Sequence, residues 1–239
     1  MSTTTRQTLT LRPADERGRA DFGWLKSAHT FSFGQYLDRD HVQFGVLRVI
    51  NDDEVEGGKG FGAHPHRDAE IFSYVLEGAL QHEDSLGNGS VVAAGGVQYM
   101  SAGSGVTHSE FNPSKTERMR FLQVWLLPER TGGEPRYETL DIDAAEKRGR
   151  LRLFLSPDGE GGSIATRARA RVYAATLDGE ERIAHDLGSI PKAWLQVARG
   201  SLTLNGERLG TGDGLGIEGG GEIVLADGDD AEVLLFELP

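Results

Sequence analysis

Two short pairs of residues hold the chemistry that can be read from this chain: His64-Pro65-His66 and His108-Ser109-Glu110. Each has the form ligand–x–ligand. On a β-strand, side chains two apart share a face and stand roughly 7 Å apart along the backbone. Two imidazoles spaced this way can converge on one ion above the strand. A second strand carrying His108 and Glu110 in the same manner completes a shell of three nitrogens and one carboxylate, a donor set that suits a divalent first-row transition metal. The chain has 7 His. Three fall in these two places, each place bracketed by glycines and followed by an apolar strand-like run, and the pairing specifies a site that neither motif specifies alone.

The elements that must position these residues are short strands. Glycine is abundant, with 33 residues against 8 prolines, and it separates short apolar runs. Such a pattern predicts a sandwich or barrel of many strands joined by tight turns. Thr8–Arg12 alternates as a first strand. Trp24–Tyr36 carries aromatics at alternate positions, and His29 within it reads as a hydrogen-bonded structural histidine. Phe44–Ile50, Glu70–Leu76, Ala79–Asp84, Ser90–Ala93, Val97–Met100 and Arg118–Leu127 read as strands, with a hairpin turn at Leu86–Gly89. The glycine-rich stretch Glu56–Gly62 lets the backbone approach the ion closely. Glu129–Pro135, containing Gly132-Gly133, is the best linker, so the expected domains are 1–130, with the metal site, and 131–239. In the second, Asp141–Arg150 reads as a short helix, and Leu151–Leu155, Arg171–Leu177, Glu181–Leu187, Ala193–Ala198, Ser201–Leu204, Glu222–Ala226 and Ala231–Leu238 read as strands. The alternating Arg167–Arg171 reads as the solvated face of an edge strand.

A net charge of −12 argues against nucleic acid or an anionic membrane as partner, because both call for clustered Lys and Arg. With no Cys, disulfides and thiolate ligands are excluded, and nitrogen and oxygen must hold any metal. No apolar span has membrane length and no secretory leader is visible. Met1–Thr5 reads as a polar tail. A cytoplasmic monomer is the expectation.

The two halves echo one another. Tyr74-Val-Leu-Glu-Gly78-Ala-Leu resembles Leu195-Gln-Val-Ala-Arg-Gly200-Ser-Leu, and Gly95-Gly96 lines up with Gly212-Asp213. Carrying the ligand offsets across lands on Asp186, Gly188, Leu225 and Asp227, and the Glu70 offset lands on Lys192. The second half repeats the architecture without the ligands, so one metal is expected, in the first half. His185 lies one residue off and reads as surface.

Taken together, His64-Pro-His-Arg-x-x-Glu70, Tyr74-Val-Leu-Glu-Gly78, Asp84-Ser-Leu-Gly-Asn88, Met100-Ser-Ala-Gly-Ser-Gly-Val-Thr-His108-Ser-Glu110 and the duplicated β-half resemble the pirin family of bicupins, in particular its bacterial quercetinase-like members. Trp24–Phe33, Arg48–Asp52 and Glu232–Phe236 share the resemblance, which spans essentially the whole chain. It implies an all-β bicupin fold of two jelly-roll-type β-barrels facing each other, with His64, His66, His108 and Glu110 as ligands. The general cupin pattern would favour Glu70 as the carboxylate, since it follows His66 by four. With Glu110 as ligand, Glu70 is left to hydrogen-bond a ligating imidazole or to act beside Glu110. Gln98 and Asn112 are further candidates for that supporting role.

Positions left open on a redox metal serve oxygen chemistry. The resemblance implies dioxygenation of quercetin-type flavonols by O2, with ring opening and loss of carbon monoxide. In that reading the metal binds the 3-hydroxyl group and lowers its pKa. Glu110, or Glu70 beside it, takes the proton, and Phe31, Phe33, Phe61 and Phe72 are candidate walls for a flat ring. Fe(II) is the first choice of metal, and Ni, Cu, Co, Mn and Zn stay open because ligand type alone does not separate them. The alternative is a metal-dependent regulatory or binding module acting through a protein partner. Lyase or isomerase chemistry on a small polar substrate would need a basic residue in the pocket, and Lys59 and Arg67 read as solvent-facing.

Overall fold

The structure, a computed structural model, describes residues 7–239, so the tail read over Met1–Thr5 lies outside it. Alternating sequence and glycine turns produce strands almost throughout. The first twelve are β1 (Thr8–Arg12), β2 (Gly18–Asp21), β3 (Leu25–His29), β4 (Leu47–Val55), β5 (Gly60–His66), β6 (Glu70–Glu77), β7 (Ala79–Asp84), β8 (Gly89–Ala93), β9 (Gly96–Ser101), β10 (Val106–Phe111), β11 (Met119–Leu126) and β12 (Arg136–Asp141). After them come α1 (Ala144–Lys147), β13 (Arg152–Ser156), β14 (Ile164–Ala165), β15 (Arg171–Gly179), β16 (Ile183–Asp186), β17 (Lys192–Leu204), β18 (Glu207–Gly210), β19 (Gly214–Glu218) and β20 (Glu222–Leu238). The helix read over Asp141–Arg150 is this single turn, N-capped by the Asp143 carboxylate, which accepts from the Ala145 N–H.

The chain divides into two compact units. The site-bearing unit comprises Gly18–Ile142 and Ile164–Ala168. It holds a seven-stranded sheet of order β12-β9-β6-β11-β4-β3-β2 and a four-stranded sheet of order β5-β10-β7-β8. Leu25, Val55, Val75, Met119 and Phe121 from the first pack with Leu80 and Val92 from the second. This is the sandwich that period-two alternation calls for. The grouping differs from a cut after residue 130 for two reasons. β12 lies beyond that point yet pairs with β9. The stretch read as a linker is also tied down, because the Gly132 N–H donates to Asp68 Oδ1 at 2.6 Å and the Ser104 N–H to the Gly133 carbonyl at 2.8 Å. Arg167 binds the Gly132 and Glu134 carbonyls. Residues 166–170 therefore form no edge strand: β15 begins only at Arg171, although Ala168 and Ala170 are buried as the alternation suggests.

The second unit comprises the described residues up to Arg17, Asp143–Ser163 and Arg169–Pro239. Its strands run β1-β19-β17-β20-β15-β13, with β16 on β20 and β18 on β17. Its interior is aliphatic, built from Leu195, Val197, Leu202, Leu215, Ile217, Leu225, Val233 and Leu235 among others. The strands read separately over Ala193–Ala198 and Ser201–Leu204 are one bent strand, β17, with register shifts between Val197 and Thr203. Gly200 sits in that bend at φ +66°, and a Cβ there would run into the Asp229 and Asp230 carbonyl oxygens. Its counterpart Gly78 has φ +72°, and the second pair, Gly95 and Gly212, have +89° and +90°. The sequence echo is thus a repeat of backbone geometry. Gly200→Ala is expected to destabilise the protein by about 2 kcal/mol through left-handed strain and overlap, measured as a lowered midpoint of urea unfolding.

Candidate metal centre

β5 and β10 pair antiparallel with His108 directly opposite His64 and Val106 opposite His66. Alternation places His66 on the same face as His64. One ligand-capable ring nitrogen from each of His64, His66 and His108 lies within 4.8 Å of the others. The ring centroids are 4.5 to 4.9 Å apart. The ladder slips between His108 and Glu110, which faces Phe61, and this bulge turns Phe61 toward the same cavity. Gly60 makes the pairing possible, because a Cβ there would overlap the backbone of Glu110 and Phe111.

Hydrogen bonding assigns the tautomers. His64 Nδ1 lies 2.8 Å from the Gly62 carbonyl and must donate to it, leaving a lone pair on Nε2. Asp84 is held ionised: burial pushes it up but is outweighed by donors from Asn88 and the Leu86 N–H. His82, wholly buried on β7, is kept neutral chiefly by burial. Its Nε2 lies 3.3 Å from Asp84 Oδ2, so that nitrogen carries the hydrogen and Nδ1 carries the lone pair. His108 Nδ1, 3.3 Å from His82 Nδ1, must then be the donor, which leaves a lone pair on His108 Nε2. Two lone pairs, on His64 Nε2 and His108 Nε2, therefore face one another at 3.1 Å. A cation accepting both resolves that repulsion, so this donor set fits a divalent metal. Burial, with repulsion between neighbouring rings, lowers His66 to about 4 and His108 to about 3, so both are neutral and able to ligate well below pH 7.

Glu110 is fully buried and stands outside the 4.8 Å cluster while lining the same cavity. It lies over a polar rung that crosses the larger sheet: His29 opposite Asn51, Asn51 opposite Gln123, Gln123 opposite Ser73, and Ser73 opposite Gln98. Its Oε1 accepts from Ser73 at 3.2 Å and from Gln98 at 2.7 Å, and its Oε2 from Gln123 at 2.9 Å. Burial raises its pKa, while His64 and these donors pull it down. Glu70 lies elsewhere. Its carboxylate accepts from Tyr99, Ser101, Thr166 and the Arg167 N–H, and it does not line the cavity. It ties the 164–168 segment to β6, and its hydrogen bonds go to these four groups rather than to a histidine of the cluster. Asn112 closes a loop onto Val55 and Glu117.

The cavity has a volume of about 820 Å³. Of the four phenylalanines read as walls, Phe33 and Phe61 line it, whereas Phe31 and Phe72 are core. Phe22, Trp24, Tyr36 and Trp125 complete the aromatic lining, and Trp125 stands edge-on to His66 at 4.9 Å.

Known proteins resemble this chain over nearly its whole length. The pirin family profile matches residues 10–126, and that of the quercetinase C-terminal cupin domain matches residues 153–238. The chain is 47% identical over 229 residues to an Escherichia coli K12 protein named quercetin 2,3-dioxygenase, covering 96% of this chain and 98% of that one. This chain belongs to the pirin family. A Caulobacter vibrioides pirin-like protein is 39% identical over 95% of this chain and 97% of its own length. The crystal structure of YhhW from E. coli superposes with a TM-score of 0.92 at 47% identity, covering 97% and 98% of the two chains. YhhW has also been solved in complex with nickel(II), matching at 0.92 and 46% over 97% and 99%. The bicupin fold expected from the sequence is the fold of this pirin.

His82 and Asp84 escaped the sequence reading, although they form a His-x-Asp pair of the same two-residue spacing as the motifs it used. In this pirin His82→Ala should weaken metal binding about 10- to 100-fold by removing the acceptor that orients His108, as titration of the metal-free protein would register. Acid stability offers a second check. His66 has a folded pKa of about 4 against an ordinary 6.5, so the unfolded state takes up a proton in that interval that the folded state refuses. Metal-free His66→Phe should therefore gain stability relative to wild type as the pH is lowered from 6.5 to about 4, read from denaturant midpoints at each pH.

Proposed function

We propose that this chain is a metal-dependent oxidoreductase of the quercetin 2,3-dioxygenase type, opening the flavonol ring with dioxygen. His64, His66 and His108, with the carboxylate of Glu110 beside them, would hold the metal. The observation that carries the reading is the junction of two features: convergent imidazole lone pairs, and an aromatic cavity whose volume suits a drug-sized flat molecule. Relatives that bear the name quercetin 2,3-dioxygenase support the choice of substrate class.

A divalent transition metal bound here supplies a Lewis acid for a phenolic hydroxyl and, if redox-active, a path for electrons to dioxygen. The rest falls to the chain. Trp24, Phe33, Phe61 and Trp125 offer faces and edges against which a planar ring can lie, with Trp24 and Phe61 edge to face at 5.5 Å and Phe33 and Trp125 at 5.7 Å. Glu110 receives the hydroxyl proton. Its Oε2 accepts only one of the three side-chain donors on the carboxylate, and burial raises its proton affinity above that of an ordinary carboxylate. The aromatic walls limit water around the reacting ring.

The test is aerobic incubation of iron-, nickel- or copper-loaded protein with quercetin. The long-wavelength absorption of the flavonol should be lost and carbon monoxide released. Glu110→Gln should slow turnover at least about 100-fold, and His66→Ala should lose both metal and turnover. Absence of turnover with every one of these metals would sink the proposal.

A further inference from the structure

The stretch of cavity wall built by β3 and β4 is polar. Ser27, His29, Asn51 and Asp53 all line it. Alternation puts Asn51 and Asp53 on one face of β4, and the register sets His29 opposite Asn51 and Ser27 opposite Asp53. His29 and Asn51 satisfy each other at 2.8 Å. Asp53 is different. It is 3% exposed, Ser27 donates to its carboxyl group, and its Oδ1 is buried with no hydrogen-bond partner. An orphaned buried carboxyl oxygen lowers stability, a cost that a fold without use for the group would shed by substitution. Burial lifts its pKa to about 7; Ser27 opposes this, while Asp52 and Glu110 add to it.

We propose that Asp53, supported by Ser27, is a second polar anchor of the cavity, whose Oδ1 takes a hydrogen bond from a ring hydroxyl of a flat polyphenol outside the histidine cluster. The chemistry selects the ligand class. A phenol both donates and accepts, so it satisfies Asp53 whether the carboxyl group is ionised or protonated. A ligand carboxylate at the same place would meet the carboxyl groups of Asp53 and Glu110, which line the same cavity, and be repelled. Aromatic neighbours Phe22, Trp24 and Phe61 line the same cavity, so the group presented to Asp53 is borne on a ring. This rests on the reading of the cavity as a flavonol site and deepens it: a flavonol is recognised through a hydroxyl beyond the one directed at the histidines.

Binding without turnover tests it. Nickel-loaded protein under anaerobic conditions is titrated with 3-hydroxyflavone and with quercetin, following quenching of tryptophan fluorescence. The two ligands share the metal-directed hydroxyl, and only quercetin has further ring hydroxyls. Wild type should bind quercetin at least about tenfold more tightly, the worth of one hydrogen bond to a charged or strongly polar group. Asp53→Leu should erase that advantage, leave 3-hydroxyflavone affinity within about twofold and keep the metal content. It should also raise the unfolding midpoint, because it removes the orphaned oxygen. Asp53→Ala removes both carboxyl oxygens without added bulk and gives the same comparison if the leucine variant does not fold. The subsite is refuted if wild type does not discriminate, if both variants keep the quercetin advantage, or if they lose both ligands alike. Discrimination that depends on Asp53 in a protein that never consumes quercetin would overturn the dioxygenase reading and leave the subsite standing.

Discussion

The carboxylate of Glu110 reaches from one sheet of the site-bearing unit to a row of side chains on the other, where Ser73, Gln98 and Gln123 donate to it. Burying a carboxylate is expensive unless its oxygens are satisfied, and three neutral donors on three adjacent strands satisfy this one. The bond network fixes β10 over β6, β9 and β11. His108, two residues earlier on the same strand, is thereby placed, and β5 pairs with β10 so that His64 falls opposite it. The convergence of the imidazoles is a consequence of where one acidic side chain can be tolerated.

A relay with less tolerance lies behind the cluster. Asp84, His82 and His108 form a chain in which each hydrogen has one permissible position, because Asp84 accepts only and a neutral imidazole donates once. The result is a lone pair on His108 Nε2 aimed at the lone pair of His64 Nε2. Tyr137 stacks flat on His82 at 4.1 Å, holding the ring in the plane the relay needs. The orientation of His108 is thus set by residues outside the histidine cluster.

The two units show what such a site costs. They share turn glycines at matching positions, Gly78 with Gly200 and Gly95 with Gly212, each at positive φ. The second unit fills its interior with leucine, isoleucine and valine, including Leu225, which occupies a position the His108 offset reaches. The first unit gives part of its interior to His29, Asn51, Gln123, Asp53 and Glu110. Aliphatic burial stabilises directly, whereas each of these polar groups needs a partner or lowers stability. The histidine cluster lies in the first unit, and the aliphatic cluster at the repeated strands of the second serves packing.

Alternation along the strand made the histidine pairs legible from sequence alone, since a spacing of two fixes a shared face whatever the surroundings. The same rule could have exposed His82-x-Asp84. Glycine at Gly78, Gly95, Gly200 and Gly212 was legible as a repeat because positive φ excludes most other residues. The spacing of Glu70 from His66 suggested proximity, but the chain turns between β5 and β6, and the two residues belong to different sheets. The polar rung, the tautomer relay and the orphaned oxygen of Asp53 depend on which strands lie side by side and in what register. That is settled by contacts between residues tens of positions apart, where a slip of one residue reverses every face, and only the tertiary structure decides it.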